Sequence, residues 1–416
     1  MSVPIHHMPV RTVLPQTEFR PEAPAARVEE GLNTRPEPHG HAATNVEIAG
    51  ARILLLGKLP PPYMGPAIAT KILLDSKLKE RYKLLHVDTN VHESLETLGV
   101  WRFDKVWKNL SVYARFVRVV WNEKPDLVLI PISQATLGFL KDSPFILLSK
   151  LLRRKVLIQL RGSNIQNWLA GVPALLRAYV ETLLRMAEGV VVLGDNLRHL
   201  FTGYFPENRI FVVPNGANYH IPAREARASQ VNVLYLANLQ PAKGIEDVIR
   251  AVQLLKGRGI NGFKLNVVGE WRDAETRETC LRLVEEYALP VIFYGPAYDT
   301  NKFRFMAQAD VFVFTPREPE GHPWVIVEAL ASGLPIIATD QGAITESVLD
   351  GINGFIVDSR SPWQIADRIQ QLIERPDLRR KQSAASRQHY EDNFTEEKMV
   401  ERLSAAFDQV LQHAPR

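Results

Sequence analysis

Ala309-Asp310-Val311-Phe312-Val313-Phe314-Thr315-Pro316 runs on to Glu320-Gly321-His322-Pro323-Trp324-Val325-Ile326-Val327-Glu328 and then to Ala329-Leu330-Ala331-Ser332-Gly333-Leu334-Pro335. The first block is a short apolar run that stops at a proline, the pattern of a buried strand. Glu320 therefore belongs to the loop leaving that strand's carboxyl end. From Pro323 to Ser332 the pattern is helical, with Pro323 tolerated in the first turn and Gly333 stopping it. Glu328 then lies about one turn in and shares a face with Trp324 and Val325. A strand, a small loop at a helix N-terminus and a carboxylate in the next turn make a site for a polar ligand with an anionic group.

The same grammar extends in both directions. Between Arg52 and Asn215, Ile53–Leu56, Lys83–Val87, Leu127–Ile130, Val156–Leu160, Val190–Leu193 and Ile210–Val213 read as buried strands separated by helical segments. From Val231 the pattern restarts, with Val233–Ala237, Leu265–Val268, Val291–Tyr294, Val311–Phe314, Ile336–Ala338 and Phe355–Val357 as strands and Ile245–Lys256 as one of the helices. Strands of this kind alternating with helices predict α/β architecture: two doubly wound, Rossmann-like domains facing a central cleft. The expected layout is an N-terminal domain over 51–218, a polar linker over 219–230 and a C-terminal domain over 231–390. Residues 391–416 form a last helix. Thr395 caps it, Glu396 and Glu397 fill its first turn, and Val400, Leu403, Phe407, Val410 and Leu411 make its apolar stripe. That stripe packs either on its own domain or back on the N-terminal one. Residues 1–50, rich in Pro, Glu, Ala, Arg and His without periodicity, are expected to be a disordered tail.

A chain of 416 residues suits two cores of about 150 to 200 residues each. Its formal net charge of +4 fits anionic ligands or an anionic surface, and no basic arm of the nucleic-acid-binding kind accompanies it. One cysteine, Cys280, precludes an intramolecular disulfide and thiolate metal clusters, which points to a reducing, cytoplasmic setting. The scattered histidines of the tail read as solvated rather than as metal ligands, and no metal site is expected. No apolar signal-peptide core and no run long enough to span a membrane is seen. Neither a Gly-x-Gly-x-x-Gly fingerprint nor a Walker loop is present, which argues against nicotinamide dehydrogenases and ATPases.

The Glu320-to-Glu328 segment resembles the Glu-x7-Glu motif of the retaining glycosyltransferases of family 4. Two further stretches match the same pattern: Ile336-Ile337-Ala338-Thr339-Asp340-Gln341-Gly342-Ala343 with Glu346, and Asp350-Gly351-Ile352-Asn353-Gly354-Phe355, the latter as a hairpin. The resemblance covers most of the chain and implies the GT-B fold. It also implies a sugar transfer from a UDP- or GDP-linked donor to a hydroxyl acceptor, in polysaccharide or glycoconjugate assembly, without metal or other cofactor. On that basis Lys243, before Gly244 at a helix start, grips the donor diphosphate. Glu328 binds ribose hydroxyls, Glu320 the sugar near its anomeric carbon, and amides around Gly321, His322 and Pro323 finish the sugar pocket. Gly269 permits close ligand approach, while Glu270 is either a ligand contact or a solvated loop residue.

Four positions depart from the family pattern, the first being Ala237, which stands where glycine is usual. Asn238 stands where arginine is usual and brings no charge. Gly65 matches the glycine-rich turn after the first strand, but Pro66 replaces a second glycine and removes an N–H donor. Arg161, in Gln159-Leu160-Arg161-Gly162-Ser163-Asn164, occupies the place of a usual histidine. It can stabilise a departing phosphate, bind an acidic sugar or acceptor, or pair with a carboxylate across the cleft. The resemblance implies a sugar or a lipid-linked acceptor. The basic aromatic segment from Trp101 to Trp121 is either an ordinary helix burying one face or a peripheral contact with the inner face of a membrane. Two competing readings are a GT-B nucleotide-sugar epimerase and a non-catalytic relative that binds nucleotide sugars.

Overall fold

The computed structural model describes residues 50–61, 64–90, 103–224 and 230–412, with backbone alone at 103–109 and 299. Residues 1–49 of the expected tail, Trp101, Arg102 and part of the expected linker lie outside these residues. In chain order the first half holds β1 (Arg52–Gly57), α1 (Gly65–Asp75), α2 (Leu78–Arg81), β2 (Lys83–Asp88), α3 (Phe103–Glu123), β3 (Leu127–Ile132) and α4 (Thr136–Leu151). It continues with β4 (Lys155–Leu160), α5 (Ile165–Gly171), α6 (Ala174–Met186), β5 (Gly189–Val192) and β6 (Ile210–Val212). The second half holds β7 (Val231–Leu236), α7 (Ile245–Gly257), β8 (Phe263–Val268), α8 (Ala274–Glu286), β9 (Val291–Phe293), α9 (Asp299–Gln308) and β10 (Val311–Phe314). After it come α10 (Trp324–Ala331), β11 (Ile336–Thr339), α11 (Ile344–Ser347), β12 (Gly354–Val357), α12 (Pro362–Glu374), α13 (Pro376–Asn393) and α14 (Glu396–Gln412).

The strands form two six-stranded sheets, ordered β2-β1-β3-β4-β5-β6 and β12-β11-β10-β7-β8-β9, in which the pairings are parallel. Both faces of each sheet's central strands are covered, so neighbouring apolar residues of a strand pack on opposite sides. In β1, Leu54 and Leu56 join the core under α3, α4 and α6, while Ile53 and Leu55 face the other side. In β7, Val233 and Tyr235 pack with α7 and α12, and Leu234 with α9, α10 and α13.

The side of the first sheet that holds Ile53 and Leu55 is closed by α14. Met399, Leu403, Ala406, Phe407 and Val410 share a core with Ile53, Leu55, Tyr82, Leu127 and Leu157. Tyr82 donates to Asp408 at 2.7 Å and meets the Phe407 ring edge-on. The C-terminal helix is thereby built into the N-terminal core, and Lys77 pairs with Glu397 at 2.7 Å beside it.

One local expectation is corrected. Asp350 to Gly354 is a tight turn rather than a hairpin, because the strand it leads into runs parallel to β11. The strand direction is set by Ile336–Thr339 lying beside Gly354–Val357, and a Cβ on Gly354 would meet the Ile336 carbonyl at 2.0 Å.

Candidate functional site

In an open parallel sheet the loops diverge where the strand order reverses, and a crevice opens at the strands' carboxyl ends. In the second sheet the reversal lies between β7 and β10, so the loops after those two strands frame it. They are the loops that carry Lys243 and Glu320. The cleft has a volume of about 880 Å³, large enough for a nucleotide-sized ligand. Gly65 and Arg161 reach it from the first domain. Asn238, Lys243, Gly269, Glu270, Glu320, Gly321, His322, Pro323 and Glu328 line it from the second. Gly244 is the one expected site residue that is not on its wall. Its φ of +76° makes it a left-handed N-cap, and α7 starts one residue later, at Ile245. A Cβ there would lie 1.9 Å from the Thr315 carbonyl, so this glycine holds the two loops together.

Lys243 ends a short 3-10 turn over Pro241–Lys243. Its carbonyl accepts from Tyr235 Oη at 2.8 Å, and the turn is tied to the loop after β10 by the Arg317 N–H donating to the Ala242 carbonyl at 2.9 Å. Arg317 also grips Asp247 in the first turn of α7 through two bonds of 2.7 and 2.6 Å. So anchored, Lys243 directs its ammonium onto Glu320 Oε1 and over the Phe314 ring.

A second lysine closes the other motif carboxylate. Lys302 of α9 donates to Glu328 Oε1, and the pair is largely out of water, with side-chain exposures of 17% and 4%. Nothing in the sequence singles out Lys302. It sits in a polar helical segment 26 residues before its partner, and only the packing of α9 beside α10 brings the two together. Each carboxylate of the Glu-x7-Glu pair is thus held by a lysine from a different loop or helix.

His322 is among the cleft residues, and its ring is buried and fully engaged. The Asn215 N–H donates to Nδ1 at 2.9 Å, so the ring proton is on Nε2, which donates to Ser347 Oγ at 2.6 Å. Burial holds the imidazole at about 3, well below its ordinary value, with Arg402 and His389 adding to the effect. Its side chain therefore buckles the second domain to the connecting segment and has no nitrogen left for a ligand. Asn215 Nδ2 completes the buckle by donating to the His322 carbonyl at 2.6 Å.

The remaining expected residues divide clearly. Asn238 is exposed on the cleft wall. Glu270 pairs with Arg272 at 2.6 Å, which makes it a braced loop residue. Gly65 opens α1 and faces Trp324 of α10 across the cleft, with a Cβ there lying 3.8 Å from the indole. Trp324 itself packs on Ala69 and Ala217, joining the first domain, the connection and the second domain in one small cluster. Gly321 is a point of close approach: a Cβ on it would come within 2.4 Å of the Arg161 carbonyl. Arg161 has no carboxylate partner among the described residues, so pairing across the cleft is not how it is held. No cluster of His, Cys, Asp or Glu able to hold a metal occurs among the described residues.

Residues 221–389 match the family model described as Glycosyl transferases group 1. Among curated proteins, the chain is 26% identical over 242 residues to a glycogen synthase of Mycobacterium tuberculosis, covering 55% of this chain and 56% of that one. It is 28% identical over 182 residues to a lipopolysaccharide 1,2-N-acetylglucosaminetransferase of Salmonella typhimurium, covering 40% and 48%. The chain thus spans about half the length of the curated relatives it matches. Among solved structures it superposes on HepE of Anabaena, crystallised with UDP, with a TM-score of 0.68 at 17% identity, over 86% of this chain and 100% of that one. The two-domain α/β architecture expected from the strand pattern is the GT-B fold.

Proposed function

We propose that this chain is a retaining glycosyltransferase of the Glu-x7-Glu type that moves a sugar from a nucleoside-diphosphate donor to a hydroxyl acceptor in glycan assembly. The observation that carries the reading is the pairing of Lys243 with Glu320 where the second sheet reverses its strand order. Breaking a sugar–phosphate bond builds positive charge on the ring and negative charge on the departing diphosphate, and a lysine beside a carboxylate meets both. When the donor enters, Lys243 turns to the diphosphate and frees Glu320 for the sugar. Glu328, fixed by Lys302, takes the ribose hydroxyls with its second carboxylate oxygen. The backbone of Gly321, His322 and Pro323 closes on the sugar, and the acceptor oxygen attacks from the face the diphosphate leaves, its proton passing to a phosphate oxygen. No protein base or metal is required by this route.

The match over residues 221–389 and the likeness to a UDP-bound solved structure support a nucleotide-sugar donor, which we take to be UDP- or GDP-linked. A lipid-linked acceptor at the cytoplasmic face of a membrane is supported by the outer surface of the first domain. On α4, Leu137, Leu140, Leu147 and Leu151 lie along one face and are 67%, 42%, 40% and 77% exposed. On the neighbouring α3, Trp121, Arg115 and Arg118 are exposed while Val112, Phe116 and Val120 are buried. Exposed leucines on one helix and exposed arginines on the next suit the boundary of an anionic bilayer. None of the described helices is long and apolar enough to cross one.

A thermal-shift panel of UDP, GDP, ADP, their sugar conjugates and NAD tests the reading, since a ligand at about a hundred times its dissociation constant adds about 2.7 kcal/mol. A shift with one nucleoside diphosphate and its conjugate is expected, followed by sugar release or transfer. Conversion of the donor to another sugar nucleotide without acceptor would instead make the chain an epimerase. Binding without turnover across an acceptor panel would make it a non-catalytic relative, and a shift with NAD alone would overturn the reading.

A further inference from the structure

Among the described residues four cations line the cleft, and three of them face a carboxylate. Lys71 pairs with Asp75, Lys243 with Glu320 and Lys302 with Glu328. The fourth, Arg161, is held only by neutral acceptors. Its Nε donates to Gln159 Oε1 at 3.0 Å, and its Nη1 donates to the Pro66 carbonyl at 2.6 Å and to Thr70 Oγ1 at 3.1 Å. Gln159 is itself buried, and Thr70 Oγ1 donates to the same Pro66 carbonyl. The fork is therefore fixed in direction by three oxygens that leave its charge uncancelled. Among the described residues nothing occupies Nη2.

We propose that Arg161 is an oxyanion site, taking on Nη2 a phosphate or carboxylate oxygen of the substrate at the reacting end of the cleft. Its place in the fold supports this. Arg161 follows β4 in the first domain and lines the same cleft as Lys243, Glu320 and Glu328 of the second, and its backbone carbonyl lies against Gly321, one residue from Glu320. Burial alone lowers the guanidinium to about 10, the penalty of a cation kept from water without a counter-charge. It stays protonated at neutral pH, and an entering anion removes the penalty. A planar guanidinium with one side pinned and the other free presents a geometry suited to a tetrahedral phosphate or a planar carboxylate.

The identity of the oxyanion rests on the transferase reading, which leaves two sources: the terminal phosphate of the donor's diphosphate, or an acid on the transferred sugar. Arg161→Gln and Arg161→Lys should be titrated with pyrophosphate, UMP, UDP, UDP-glucose and UDP-glucuronate, and with the guanosine counterparts. Loss of a charge-assisted bond predicts affinity about 10- to 100-fold weaker in Arg161→Gln, recovered in part by Arg161→Lys. A loss shared by pyrophosphate, UDP and UDP-glucose but absent for UMP assigns the terminal phosphate. A loss confined to UDP-glucuronate assigns an acidic sugar. Arg161→Gln binding every probe as the wild type does would overturn the proposal.

A second measurement needs no variant. Phenylglyoxal labelling of the wild-type chain, mapped by mass spectrometry, should show Arg161 shielded by pyrophosphate. Labelling unaffected by pyrophosphate and by every nucleotide that binds would also overturn the proposal. If the wild type binds none of the nucleotides, the transferase reading falls, while shielding by pyrophosphate alone still decides the fate of Arg161.

Discussion

Lys243 Nζ and Glu320 Oε1 form an ion pair that bridges the loops after β7 and β10, 77 residues apart in sequence. The pair is partly sheltered, and each member neutralises the other. Glu320→Gln is expected to lower turnover by about 100-fold or more while nucleoside-diphosphate affinity holds, because the lost charge acts on the developing cation. Lys243→Met should instead weaken diphosphate binding by about 10- to 100-fold. Steady-state kinetics together with calorimetric titration separate the two effects, and equal loss of binding in both variants would contradict the assignment.

Breaking the buried Lys302–Glu328 pair leaves a carboxylate with 4% exposure and no cation beside it. Lys302→Met is therefore expected to cost about 3–5 kcal/mol of stability. Adding Glu328→Leu should recover most of that, since an apolar pair needs no compensation. Urea denaturation of the two single variants and the double variant closes the cycle; additive losses would show that the pair is not coupled.

His322 makes stability depend on pH in a definite direction. Its folded value of about 3 lies below the unfolded value of about 6.5, so the unfolded chain takes up the proton first. The contribution is complete above about pH 6.5 and is lost as pH falls toward 3, by about 1.4 kcal/mol for each pH unit inside that window. Denaturation midpoints at pH 7.5, 6 and 5 should fall in that order. In His322→Asn the slope should flatten by the share of one proton, at the cost of a lower midpoint throughout.

At Gly321 the two domains leave no room for a methyl group. A Cβ would come within 2.4 Å of the Arg161 carbonyl, so Gly321→Ala must push the Glu320 loop away from the first domain. Turnover should fall at least tenfold with a melting temperature lowered by only a few degrees, because the main cores lie elsewhere. Wild-type turnover in this variant would mean that the domains do not meet here during the reaction.

Phe407 is fully buried against Tyr82 and the strands of the first sheet. Phe407→Ala should destabilise the protein by about 3–5 kcal/mol. Hydrogen exchange should show the loss in β1 and β3 rather than in the second sheet, although the residue lies at the far end of the chain.

The twelve strands were readable from sequence because a strand in a covered parallel sheet is mostly a run of apolar residues, a signal contained in three to six residues. The helix of Glu328 was readable for the same local reason, from Pro323 and Gly333 at its ends. The stripe of α14 announced burial without saying against what, since an apolar stripe is equally content on any apolar surface; contact with Ile53, Leu55 and Leu127 came from the tertiary structure. His322 and Lys302 show the limit from opposite sides. A histidine in the motif loop spends both ring nitrogens on Asn215 and Ser347, and a lysine in an unremarkable helix holds Glu328. What the sequence determined alone was the periodicity that makes elements and the chemistry each loop carries. What the tertiary structure decided was which charges meet and which, like Arg161, are left without a counter-charge. Pairing depends on distances between segments tens to hundreds of residues apart, and no local pattern encodes those distances.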